Sequence, residues 1–190
     1  MANHRFDPAK VYKLDNPERR KAFPPKKILS LLQIKQDDVV LDLGAGPGYF
    51  TLPAASLTTG KVIALDAEPK MLEILKQKTD QHSLNNVELV KGTIEDIPLE
   101  NNQVDRIIAS LVLHEVDALS RAIQEIYRVL KPGGYLLCLE WEKKAAEQEP
   151  PRRPRIHSDK MKKILEENGF QLLQFSFPTK QHYMMIAQKK

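Results

Sequence analysis

The chain has 190 residues, one cysteine and no run of uncharged apolar residues long enough to cross a bilayer. That length suits one well-buried domain, and 42% apolar with 28% charged residues suits a globular rather than a disordered chain. The net charge of +4 conceals a division: residues 1–36 and 150–190 each hold nine Lys/Arg against three Asp/Glu, whereas 37–149 hold eleven against nineteen. The lone Cys138 excludes an internal disulfide and any Cys-cluster metal site, and no metal is expected. The charged N-terminus has no apolar stretch behind it, so no signal peptide is expected and the chain reads as cytoplasmic. The basic flanks are either solvated faces or an attraction for an anionic substrate or nucleic acid. No aromatic residues interleave with them in a stacking pattern, which disfavours nucleic acid.

In chain order, Asn16-Pro17-Glu18 predicts a helix start, with Asn16 as cap. Pro24-Pro25 resets the chain before the helical spacing of Ile28, Leu31 and Leu32. Val39–Leu43 reads as a first strand, Tyr49–Leu57 as a helix, and Lys61–Asp66 as a second strand. Pro69 opens a helix to about Gln81, and Val87–Val90 and Val104–Leu111 are the third and fourth strands. Asp117 starts a helix with an apolar stripe of Leu119, Ile123, Ile126, Val129 and Leu130, which Lys131-Pro132-Gly133-Gly134 ends as a structural turn. Tyr135–Leu139 is a fifth strand, residues 143–155 a polar, proline-rich loop, and Ser158 caps a helix that stops at Asn168-Gly169. Gln171–Phe177 and His182–Gln188 follow as strands. Alternating strands and helices imply an α/β, Rossmann-like, doubly wound sheet of seven mostly parallel strands. The last two strands lie too close for a parallel crossover, so one reversed strand is expected at the sheet edge.

Open α/β sheets bind ligands at the carboxyl ends of their strands, where strand order reverses. The first strand runs into Asp42-Leu43-Gly44-Ala45-Gly46-Pro47-Gly48. Glycines there let the backbone turn sharply and approach a ligand, but a glycine-rich loop alone is a weak signal. The spacing is GxGxG rather than the GxGxxG of dinucleotide sites, and Asp42 would repel a pyrophosphate. A carboxylate there suits a ligand with an amino group or a sulfonium. Asp66, 22 residues after Gly44, can accept from a ribose diol.

The stretch VVLDLGAGPGYFT over Val39–Thr51 resembles the first motif of class I S-adenosylmethionine-dependent methyltransferases. VIALDAEPKML, KGTIEDIPL, VDRIIASLVLHEV and VLKPGGYLLCLE resemble the later motifs in order, and the chain most resembles the ubiquinone/menaquinone C-methylase-like branch. The resemblance implies S-adenosylmethionine as cofactor. Gly44, Ala45, Gly46 and Gly48 would line its methionine part and linker, Asp42 would lie near its amino group, and Asp66 and Ala67 would hold ribose and flank adenine. Thr93 stands where the family carries Asp toward the adenine amino group; its hydroxyl and the Ile94 backbone N–H remain as contacts, while Asp96 reads as a solvated acid. Ser110 and Leu111 would offer backbone contacts at the methionine end.

Transfer from an activated sulfonium is an in-line displacement that needs alignment and exclusion of water, and a general base only where the acceptor arrives protonated. His114, just after the fourth strand, is the candidate base; the alternative is a partly buried residue closing a loop junction. His4, His82, His157 and His182 show no ligand spacing, and Cys138 reads as core. The segment to about residue 36 precedes the 37–190 domain and has no place in the sheet. It is expected either to fold over the cofactor mouth as a lid, through Phe6, Tyr12 and Phe23, or to pack against the sheet edge. Without a long insertion a small-molecule acceptor is expected, and Arg152, Arg153 and Arg155 either grip an anionic acceptor or sit in a solvated loop. The competing functions are a nicotinamide-dependent oxidoreductase and a non-catalytic cofactor-binding or RNA-associated module. Neither the acceptor atom nor the oligomeric state can be read from the sequence.

Overall fold

The computed structural model describes residue 11, residues 14–142 and residues 155–190. Helix α1 (Pro17–Ala22) starts as its sequence predicts: the Asn16 side chain accepts from Arg19 N–H at 2.9 Å, and Pro17 takes the first turn. Helix α2 (Pro25–Leu29) runs into a 3-10 turn, Ser30–Leu32, and Gln33 leaves it in the left-handed region at φ 49°. The α/β alternation follows: β1 (Val40–Leu43), α3 (Thr51–Ala55), β2 (Val62–Asp66), α4 (Pro69–Gln81), β3 (Val87–Lys91) and β4 (Val104–Ser110). A 3-10 turn (Leu113–Glu115) leads to α5 (Leu119–Val129) and β5 (Leu130–Trp141), and the chain finishes with α6 (Ser158–Glu167), β6 (Phe170–Thr179) and β7 (His182–Lys189).

The seven strands lie in the order β3-β2-β1-β4-β5-β7-β6, with β1 to β5 parallel and β7 antiparallel to both its neighbours. The reversed strand is therefore second from the edge; β6 covers it, because the tight Thr179–His182 turn lets the hairpin use both sides of β7. Strand order reverses between β1 and β4, so the crevice lies beyond Leu43 and Ser110.

Three boundaries depart from expectation. The helix expected over Tyr49–Leu57 contracts to Thr51–Ala55, since the residues before it are spent on the glycine turn. The helix expected from Asp117 starts at Leu119. Lys131-Pro132-Gly133-Gly134 lies inside β5: Gly133 has φ +77°, and a Cβ on Gly134 would come within 2.9 Å of the Asp105 carbonyl, so the pair forms an irregularity in the ladder to β4. The cap of α6 also differs. The His157 ring accepts from Asp159 N–H at 3.2 Å, and Ser158 is the first helical residue. Gly169 ends the helix at φ +87°, as expected.

Alternation along the strands sends side chains to two cores. On one face Leu41, Leu43, Ile107 and Cys138 pack with the Ile123–Ile126 stripe of α5 and with Met161 and Leu165 of α6. On the other, Val40, Ile108, Leu137 and Leu139 pack with Phe23, Leu29, Leu32 and Tyr49. The N-terminal helices are thus part of the domain core. Buried Arg106 locks them there: Nε donates to Leu32 O at 2.8 Å, Nη2 to Gln33 O at 3.2 Å, and Nη2 pairs with Asp38 at 3.0 Å.

Candidate functional site

The turn after β1 is built on positive φ: Gly44 at +62°, Gly46 at +53° and Gly48 at +90°. A Cβ on Gly44 would meet Val112 at 2.4 Å and one on Gly48 would meet Leu75 at 2.5 Å, so these two let the turn nest against its neighbours. At Gly46 the nearest atom, Leu14 Cδ1, is 3.5 Å away, an ordinary van der Waals contact, so there the positive φ rather than crowding asks for glycine. Ala45 N–H donates to Leu65 O at 3.0 Å and Lys78 Nζ to Pro47 O at 3.1 Å, tying the turn to β2 and α4.

Two acids flank the turn. Asp42, 3% exposed, accepts the Thr51 hydroxyl at 2.6 Å and has no ion-pair partner among the described residues. Burial, with Asp66 nearby adding like charge, pushes its carboxyl up to about 7 against the help of Thr51 and Arg19. Asp66 accepts from Gly46 N–H at 2.8 Å and Glu68 N–H at 2.9 Å; burial still raises it above the ordinary carboxylate range. Half-buried Ala67 follows it. Across the crevice Thr93 bridges to Asp96, with Ile94 buried between them and Asp96 exposed. Ser110 ends β4 with its hydroxyl buried and unpartnered, and Leu111 takes φ +56° while its N–H donates to Leu139 O at 2.7 Å. A left-handed leucine is backbone strain located at the crevice.

His114 is more enclosed than its sequence position suggests, with a side chain 1% exposed. Its Nδ1 lies 2.8 Å from Glu140 Oε2 at the end of β5, and Glu140, 0% exposed, also accepts Leu113 N–H at 2.8 Å and Trp141 N–H at 3.1 Å. These bonds use the Glu140 oxygens as acceptors, so Nδ1 donates; Nε2 has no hydrogen-bond partner and lies 3.8 Å from Glu115 Oε1. Beside them Trp141 stacks on His182 at 3.9 Å and Phe23 meets the same ring edge-on at 4.8 Å. Burial lowers His182 to about 4, so it is neutral near pH 7.

The structure therefore gathers Asp42, Gly44, Ala45, Gly46, Gly48, Asp66, Ala67, Ser110, Leu111 and His114 at the carboxyl ends of the parallel strands, with Thr93 and Ile94 just beyond β3. Sequence reasoning missed Glu140 and Arg19. The signal for Glu140 was a carboxylate closing an apolar strand. Arg19 gave none, because its approach to Tyr49 and Asp42 is a tertiary event. Phe23 packs into the core, while Phe6, Tyr12, His4, Arg152 and Arg153 lie outside the described residues. Arg155 sits over the Trp141 ring at 5.4 Å. Cys138 is buried core. A polar groove at the opposite end of the sheet holds Arg106 and Lys131, whose charges pair with Asp38 and Asp105.

A glycine-built turn between two buried acids at a switch point is the signature of α/β domains that hold a nucleoside with a cationic tail. The chain belongs to the methyltransferase domain family, whose model matches residues 41–138, within the S-adenosylmethionine-dependent methyltransferases of class I. It is 34% identical over 117 residues to a demethylmenaquinone methyltransferase of Oceanobacillus iheyensis, covering 60% of this chain and 49% of that protein. The corresponding Bacillus cereus protein is 33% identical over 125 residues, 65% and 52% of the two chains. The chain thus spans about half the length of the curated relatives it matches. A SAM-dependent methyltransferase from Aquifex aeolicus superposes with TM-score 0.87 at 31% identity, over 98% of this chain and 100% of that one. The cyclase SpnF shares the fold at TM-score 0.81 and 18% identity, over 88% and 80% of the chains, so fold alone does not name a reaction.

The cofactor of this family, S-adenosylmethionine, fits the residues present. Buried Asp42 makes no ion pair among the described residues, and the left-handed glycine turn follows it at the strand end.

Proposed function

We propose that this chain transfers a methyl group from S-adenosylmethionine to a small hydroxyl-bearing aromatic acceptor of the quinol type. Asp42, Gly44, Ala45, Gly46 and Gly48 hold the amino-acid end and linker, Asp66 and Ala67 the ribose and adenine edge, Thr93 and Ile94 the adenine, and Ser110 and Leu111 the far side of the methionine. The observation that carries the reading is the buried Asp42, which accepts the Thr51 hydroxyl but has no ion-pair partner among the described residues, and whose carboxyl is pushed up to about 7 beside the glycine turn: a cationic ligand would complete such a site. The cofactor, when bound, supplies an electrophilic methyl on a sulfonium.

His114 is the base. With Nδ1 donating to Glu140, its Nε2 takes the proton of an acceptor hydroxyl, which raises the electron density of the ring carbon beside that hydroxyl. Glu140 fixes the tautomer and steadies the imidazolium that forms. Demethylmenaquinone methyltransferases among the relatives favour a quinol over other aromatic hydroxyls.

Calorimetric titration with S-adenosylhomocysteine, and S-adenosylhomocysteine release in the presence of a short-chain demethylmenaquinol, test this. Binding and turnover are expected, with NADH giving no heat. His114→Asn is expected to cut turnover by about 10²-fold or more with affinity for the nucleoside kept. A wild-type chain that ignores S-adenosylhomocysteine would overturn the assignment.

A further inference from the structure

Resting on that reading, we infer that Arg19 holds the carboxylate of the cofactor's amino-acid end while Asp42 takes the ammonium, so the zwitterion is read by two opposite charges from separate parts of the chain.

Arg19 belongs to α1, outside the sheet, yet its guanidinium lies 4.2 Å over the Tyr49 ring, which follows the glycine turn, and feels the charge of Asp42. Its head is held in place: Nη1 donates to Leu14 O at 2.7 Å, and the Tyr49 hydroxyl below it donates to Phe23 O at 2.8 Å. The same segment brings Leu14 over Gly46. What the guanidinium lacks is an anion. Its Nε is buried with no hydrogen-bond partner. The neighbouring Asp15 is engaged by Arg20 through two bonds of 2.7 Å, and Asp42 makes no ion pair with Arg19 among the described residues.

An unpaired guanidinium N–H taken out of water is costly, and one already fixed by stacking and a backbone bond has little left to lose on meeting an anion. Gly46 lies on the turn that runs from Asp42 to Tyr49, the ring under the Arg19 guanidinium, and Leu14 packs over it. An α-amino acid presents a cation and an anion two bonds apart, so a site for it calls for an acid and a base at the same end, as Asp42 and Arg19 provide. Guanidinium suits the carboxylate because its N–H fork matches two oxygens, which an ammonium cannot do. The arrangement also gives the N-terminal segment a reason to lie across the turn: it brings half of the charge recognition.

The test is calorimetry on the full chain with three nucleosides: S-adenosylhomocysteine, its decarboxylated analogue, and 5′-methylthioadenosine, which lacks the whole amino-acid end. The wild type is expected to prefer S-adenosylhomocysteine over the decarboxylated analogue by about tenfold or more. Arg19→Met, which keeps a flexible stem over Tyr49, is expected to bring that preference within about threefold of unity, with 5′-methylthioadenosine binding unchanged. Arg19→Lys should retain part of the preference. A Met variant that keeps the wild-type preference overturns the inference, and so does an equal loss for all three nucleosides, which would mark Arg19 as structural. A wild type that binds none of them overturns the methyltransferase reading and takes this inference with it.

Discussion

Asp42 is a residue held against its own stability. The folded state binds its proton more tightly than the unfolded chain does, so stability falls as pH rises between 3.8 and about 7, and the loss is complete above 7. Asp42→Asn keeps an acceptor for Thr51 and removes the buried charge. It is expected to gain roughly 2–4 kcal/mol over the wild type in urea unfolding at pH 8, with the advantage nearly gone at pH 4. The same variant should bind S-adenosylhomocysteine at least about tenfold more weakly at pH 8. Equal unfolding midpoints at both pH values would show that the carboxylate is not desolvated. At this scale the GxGxG turn and its two acids were legible in the sequence, because their chemistry is local to one strand end. Glu140 and Arg19 were not: each meets its partner, His114 or the Tyr49 ring, only through packing of separate elements.

At the scale of elements, the C-terminal hairpin secures α5 as well as closing the sheet. Lys189 at the end of β7 reaches back with Nζ to Asn102 Oδ1, Tyr127 O and Leu130 O, each at 2.7 Å, two of them carbonyls at the end of α5. A cation there answers the negative end of the helix dipole and its free carbonyls. Lys189→Met would leave those acceptors unpaired, and a loss of roughly 2 kcal/mol is expected in denaturant unfolding with cofactor affinity unchanged. An unaltered midpoint would mean that water serves these carbonyls equally well. Strands and helices with strong apolar patterns, such as α4 from Pro69 to Gln81, appear where their sequence put them. The misjudged boundaries lie where a local signal met a tertiary one: Gly133-Gly134 reads as a stop but fits inside β5 because β4 shifts register beside it.

For the whole molecule, the question is what the N-terminal segment does. Ile28, Leu29 and Leu32 root it in the core and Arg106 pins its end, which favours packing; Leu14 packs on Gly46 and Arg19 lies over Tyr49 just after the turn, which favours covering the site. The packed stretch is observed, and we propose that the stretch before it covers the bound cofactor. A chain shortened to begin at Phe23 keeps the core contacts and loses the cover. It is expected to unfold cooperatively, with S-adenosylhomocysteine affinity reduced by about tenfold or more. Unchanged affinity and turnover would discard the cover.

The sequence by itself determined the alternation of elements, the antiparallel ending and the strand end that carries the glycines and acids, because periodicity, turn chemistry and spacing along the chain encode these directly. Tertiary structure alone decided that β6 closes the sheet outside β7, that His114 is buried on Glu140, and that Arg19 comes to rest over the Tyr49 ring. The last two join residues 26 and 30 positions apart through packing of separate elements, and nothing in local pattern specifies which side chain a fold will bring to face another.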